Sequence, residues 1–323
     1  MTTELYSLVT PLGNPVVGNP VRGWQGGRVL YVSSGGGAEG QFGDGRTPGR
    51  PLASLFGTSA KAGQDGALAR LENRANRGDC IYIMPGHTES VSGADMAVYT
   101  GTASGFSIVG LGTGDQRPSF TWTVAGSTWL FDTAGVELAN CRLFLAGAHV
   151  TGAALTVAAP ITVSANGCRM VNNEIFWGFE SDRIVGDGII VTGDGFEFIG
   201  NKCLALVAAV PSNTFLTLTG ADDCKIIGND ISGPTDATTR GVIDVETTEC
   251  LRMVVEDNFI ANVLASSTIA FSPLASSTGR CANNRFFVDT GILPITAGIL
   301  DWFENRCCND AGETGALVGA ASA

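Results

Sequence analysis

The chain of 323 residues is predicted to be all-β, a single-stranded parallel β-helix of about eight coils with an N-terminal capping helix. Three observations predict it. The first is a recurring asparagine: Asn140, Asn173, Asn201, Asn229, Asn258, Asn284 and Asn305 follow one another at spacings of 33, 28, 28, 29, 26 and 21 residues. Self-similarity with a period of 20–50 residues marks a solenoid. The second is what surrounds it. Three residues before the asparagine stand Met170, Phe198, Ile226, Val255, Cys281 and Trp302, and two after it stand Ile175, Cys203, Ile231, Ile260, Phe286 and Cys307. The unit around Asn140 slips by one position. Apolar residues at period two mean short strands. The third is composition: 15% charged residues against roughly 25% in ordinary globular chains, and 44 glycines, about twice the usual share. Low charge with abundant glycine suits many short strands joined by tight turns.

Each element follows in chain order. Residues 1–27 hold three prolines and five glycines and no period, which predicts an extended arm. Such an arm orders by binding a neighbour or stays disordered. Residues 28–100 form a capping region. RVLYVS is a strand, and a helix is expected from Gly66 to Asn76, with Asp65 as N-cap, Gly78 just past the end, and Leu68, Leu71 and Ala75 on one face. The strand CIYIMPG follows. A solenoid exposes an apolar cross-section at its end, so a short amphipathic helix there serves as a lid.

Residues 101–308 are the coils. Each has an upstream strand (LTV at 155–157, IIV at 189–191, FLTL at 215–218, VIDV at 242–245, TIAF at 268–271), then a strand before the asparagine and one after it. Asparagine tolerates the left-handed backbone conformation, so it is expected to bend the chain there, with stacked amides bonding as a ladder. Residues 309–323 are small and leave the stack.

The repeat resembles the right-handed parallel β-helices of the pectate-lyase type. The opening run, from YVSSGGG through DGRTPGRPLASL to NRGDCIYIMPGHTES, with FSIVGLGTGDQRPSF after it, looks like the start of β-helix proteins of bacteriophage virions. That resemblance implies a structural virion protein, a homotrimeric capsid decoration or spike, assembled in the host cytoplasm beside other capsid or tail proteins. The alternative is a tailspike that binds or degrades a host surface glycan.

Charge and composition exclude other classes. Net charge is −12, so nucleic acid is a poor partner. No apolar run approaches the ~18 residues of a membrane span. MTTELYSLVTPLGNP lacks the basic and apolar regions of a secretory signal, which points to a cytoplasmic origin. The nine cysteines are then expected as reduced core thiols: Cys168 and Cys224 take the slot of Phe196, and Cys203 and Cys307 that of Ile175 and Ile231.

No cofactor, metal or catalytic cluster is expected. Glycoside hydrolysis needs two carboxylates on one face. Asp222–Asp223, in TGADDCK, reads as a turn. Asp244 and Glu246 share a strand face whose neighbours are expected to be Thr217 and Ala270, which form no acidic wall. Charges flanking the asparagines alternate in sign (Arg169, Glu197, Lys225; Glu174, Lys202, Asp230), which suits ion pairs between coils. His87 and His149 read as structural or exposed, and GDGRTPG has too few carboxylates for calcium. The pectinase-type G-H-G and R-I-K motifs are absent. Trp122, Trp129 and Trp177 are the aromatic candidates for sugar stacking, or else core or trimer contacts.

Overall fold

A computed structural model describes residues 8–9, 15–16, 28–34, 43–57, 66–71, 78–93, 104–144, 155–177, 183–205, 214–233, 240–263, 269–289, 299–309 and 316–317. Three parallel sheets wrap one core. The first has ten strands, running from Val29–Val32 and Cys80–Ile83 through Ser107–Gly110, Glu137–Ala139, Arg169–Val171, Glu197–Ile199, Lys225–Ile227, Met253–Glu256 and Thr278–Ala282 to Ile299–Phe303. The second also has ten, from Thr88–Val91 to Arg306–Asn309, and ends in Ala316–Leu317, which pairs antiparallel to Arg306–Cys307, so the tail expected to leave the stack returns to it there. The third has six: Trp129–Phe131, Ile161–Val163, Asp187–Val191, Thr214–Leu218, Ile243–Val245 and Phe271–Ser272. The result is a right-handed parallel β-helix, the hand that crossovers between parallel strands take.

Among the described residues, six turns place a strand in all three sheets, against the eight coils counted from the sequence. The long sheets run past them at both ends. The capping region shares those sheets, since Cys80–Ile83 pairs directly with Ser107–Gly110. In the arm, Leu8–Val9 pairs antiparallel with Pro15–Val16.

The register explains the apolar period. Residues one coil apart pair directly, so Ile175, Cys203, Ile231, Ile260, Phe286 and Cys307 form one inward column. All six are buried, because alternate residues of a strand face the same side. The LTV expectation needs correction. Among the described residues Leu155–Val157 pairs only with Arg183–Val185, in a separate two-stranded sheet, and the third-sheet strand of that coil is Ile161–Val163.

Of the expected helix, the described part is one 3-10 turn, Leu68–Leu71, with Ala67, Leu68 and Leu71 buried. Asp65 and residues 72–76 lie outside the described residues. The chain enters this turn already bonded elsewhere: the Ala67 and Leu68 N–H groups donate to the Ser54 and Leu55 carbonyls. Any side chain at Gly66 would meet the Phe56 backbone at 2.5 Å. Phe56 in turn packs edge-on against Phe120 and Trp129, at 5.9 and 5.0 Å. Segment 52–57 thus shares the sealing of this end of the core.

Candidate functional site

The asparagines hold the coils together from inside. Asn173, Asn201, Asn229, Asn258, Asn284 and Asn305 are all at most 2% exposed, so every polar atom needs a partner. Each finds them in its neighbours. Asn229 Oδ1 accepts the backbone N–H of Asn201 at 2.8 Å and its Nδ2 at 3.2 Å. Asn229 Nδ2 donates to the Phe198 carbonyl at 2.8 Å and to Asn258 Oδ1 at 2.9 Å. The pattern repeats from Asn173, which donates to Leu138, to Asn305, which donates to the Cys281 carbonyl. An amide has four hydrogen-bonding positions, and in the middle of this ladder all four are filled.

Two expectations about the ladder are corrected. The left-handed residue is the one before the ladder asparagine: Asn172, Gly200, Gly228, Asp257, Asn283 and Glu304 have φ between 51° and 66°. The buried asparagine itself is a side-chain brace, and its exposed predecessor makes the bend. Asn140 belongs to the bending column, with φ of 57°, and the ladder slot of its coil is held by Cys141. The Cys141 N–H donates to Asn173 Oδ1 at 3.0 Å and closes the ladder. Asn140 bonds outside it, to the carbonyls of Gly110 and Gly112.

A second polar ladder runs along the turn between the third and first sheets. Asn166 Oδ1 accepts the Asp194 N–H, Asp194 Oδ1 the Asp222 N–H, and Asp222 Oδ1 the Leu251 N–H, at 3.0, 3.0 and 2.8 Å. The sequence signal for it is the repeated SANG, TGDG and TGADD. Asp222 is therefore engaged by the turn. Asp223 is held by Arg252 at 2.6 and 2.7 Å, and that guanidinium keeps its carboxyl below the usual range.

The other flanking charges bridge coils. Glu137, Arg169, Glu197 and Lys225 form one run, at 3.0, 2.6 and 2.9 Å. Burial works to raise the Glu197 carboxyl, but Lys225 and Arg169 outweigh it and lower it. Asp115, Arg142 and Glu174 form a second run.

Asp244 is different. It is 5% exposed, and its neighbours across the sheet are Thr217 and Ser272, not Ala270. Burial pushes its carboxyl up to about 6; a hydrogen bond with Ser272 opposes this and adjacent Glu246 adds to it. Arg240 reaches Glu246 at 2.5 Å and Asp187 at 3.6 Å. This is the described place where two carboxylates adjoin with one held toward its protonated form.

The remaining candidates are structural. Trp122, Trp129 and Trp177 are core residues, at most 1% exposed, so sugar stacking on them is excluded. His87 is buried: its Nδ1 accepts the Ser34 N–H at 2.8 Å, so its Nε2 carries the proton toward Glu89 at 3.0 Å. Glu89 also accepts from Ser54 Oγ and from the Leu55 and Phe56 N–H groups, which pins the sealing segment. His149 lies outside the described residues. Eight cysteines are described and all are free, seven of them buried. Burial pushes the Cys141 and Cys224 thiols up to about 12 and Cys250 to about 11. Among the described residues, no group of three or more His, Cys, Asp or Glu is placed to hold a metal ion.

Fold and site together define a right-handed parallel β-helix braced by an internal asparagine ladder. No protein-family model matches the chain, and no curated protein matches it. Among solved structures it is similar to the A-module of mannuronan C-5 epimerase AlgE6 from Azotobacter vinelandii, at 10% identity and a TM-score of 0.30, over 76% of this chain and 88% of that one. The fold assignment rests on the strand pairing.

Proposed function

We propose that this chain is a non-catalytic structural protein of a bacteriophage particle, a decoration or spike carried on the capsid or tail. The observation that carries the structural part is the use of its outer charges. Carboxylates that chemistry would need open are tied between coils, in the run Glu137–Arg169–Glu197–Lys225 and in the pair Asp223–Arg252. With the filled ladder inside, this makes a stiff rod rather than a cleft. The phage part is supported by the resemblance of residues 31–120 to the start of virion β-helix proteins. In this reading the stack counts eight coils, two more than the six with a described strand in all three sheets. Residues 1–27, or the segment after Asn309, fasten it to the particle, and identical subunits assemble with closed symmetry. The test is peptide mass spectrometry and antibody labelling of purified particles. The chain should be found on the particle surface at many copies; its absence from particles overturns the reading.

A second reading, a glycan-binding or glycan-degrading tailspike, is favoured by Asp244 and Glu246. Sugar hydrolysis uses a protonated carboxylic acid beside an ionised carboxylate. New reducing ends from host surface polysaccharide, lost in Asp244→Asn and in Glu246→Gln, would establish it in place of the first.

A further inference from the structure

The outer face of the first sheet carries two contrasting columns. One runs Tyr31, Tyr82, Val109, Ala139, Val171, Ile199 and on to Ile227 across successive strands. A solvent-facing sheet normally shows polar residues outward, so this unbroken apolar stripe is unusual. Its first three members are covered within the chain, by Met84 and Leu111 among others. Ala139, Val171, Ile199 and Ile227 are half-buried. The second column lies two residues upstream on the same four strands: Glu137, Arg169, Glu197 and Lys225.

The order of those charges, minus, plus, minus, plus, favours one way of covering the stripe. Consider a second copy laid face to face with its long axis reversed, about a twofold axis parallel to the strands and between those of Val171 and Ile199. Glu137 then meets the partner's Lys225, and Arg169 meets the partner's Glu197. In the apolar column Val171 meets the partner's Ile199, and Ala139 the partner's Ile227. That axis is also the midpoint of the sheet, with five of its ten strands on either side. Rods packed in the same direction, including a threefold bundle, bring equal heights together, so Glu137 cannot meet the partner's Lys225, and a bundle centred on the charge column sets Glu137 against Glu137. Like charges so placed repel. The second sheet has a similar charge order, but its apolar pair is occupied: Phe144 and Phe176 stack at 5.1 Å beneath the Arg142 guanidinium.

We propose that the outer face of the first sheet is an isologous, antiparallel interface between two copies of this chain. Twofold closure is the commonest symmetry of identical subunits, and each contact there is made twice. The inference concerns this face alone and stands or falls apart from the particle assignment.

The test is light scattering of the full chain at on the order of 100 µM, since a contact of a few strands is small. A mass twice the 33.3 kDa of the chain is expected. Direction is read with a bismaleimide linker spanning about 10 Å, the usual distance between packed sheets. Ala139→Cys mixed with Ile227→Cys should cross-link, above a wild-type control. Ile227→Cys alone should not, because two such residues are about 14 Å apart along the rods, three strand spacings, in addition to the gap between sheets. A single-chain or triple mass overturns the proposal. So does efficient cross-linking of Ile227→Cys to itself.

Discussion

Asn229 accepts two hydrogen bonds from Asn201, one from its backbone N–H at 2.8 Å and one from its side-chain amide at 3.2 Å. Each coil is thus tied to the next by a side chain that is itself tied to the coil beyond. Removing one amide leaves several buried polar groups without partners, each worth about 1–3 kcal/mol. Asn229→Val is expected to destabilise the protein by about 3–5 kcal/mol. Urea unfolding measures this, and a loss below about 1 kcal/mol would mean that the ladder is not a principal brace.

The bending column gives a separate prediction. Gly228 has φ of 66°, and a Cβ there would meet nothing within 4 Å. Only backbone strain opposes a side chain. Gly228→Val should cost about 1–3 kcal/mol, while Gly228→Asn should be nearly neutral, since Asn172 and Asn283 hold the same conformation in other coils. Equal costs for the two would remove the strain explanation.

Much of this was legible in the sequence. Six of the seven asparagines read from the repeat are the ladder, because burial at a fixed slot leaves apolar neighbours at fixed offsets. Asn140 was misplaced by one residue, and the visible slip in its unit was the sign: Leu138, not Glu137, takes the inward position. The bend was assigned to the wrong member of each pair. Gly200 and Gly228 before the asparagine carried the signal, since glycine meets no penalty at positive φ. In the described part of the expected helix, the apolar period at Leu68 and Leu71 marks the buried face of a single 3-10 turn, since a spacing of three suits 3-10 geometry as well as an α-helix. The burial of Asp244 was not legible, because burial of an outward residue depends on what packs over it, which strand alternation does not encode.

The thiols should be silent in the folded protein. With Cys141 and Cys224 pushed up to about 12 and Cys250 to about 11, burial withholds both access and thiolate. A thiol reagent at pH 8 should leave these three unmodified in the native protein, as peptide mapping would show. Under denaturant without reductant it should count nine. A shortfall of two or more would mean a disulfide.

Asp244 predicts a pH dependence with a definite sign. Its folded pKa, about 6, lies above the ordinary value of 3.8, so the folded state binds its proton more tightly. The stability this contributes is full below about pH 4 and is lost as pH rises through about 6. Asp244→Asn should therefore raise the melting temperature relative to wild type at pH 8 more than at pH 4. A pH-independent difference would show that the carboxyl does not titrate in this range.

Because Asn173, Asn201 and Asn229 follow at 28 residues each and bond in the same way, one coil is interchangeable with the next. The molecule can be lengthened or shortened in whole coils of about 4.8 Å without disturbing either end. Such a chain is a ruler graduated in single coils, and insertion or deletion of whole repeats offers a simple route by which its reach could be adjusted.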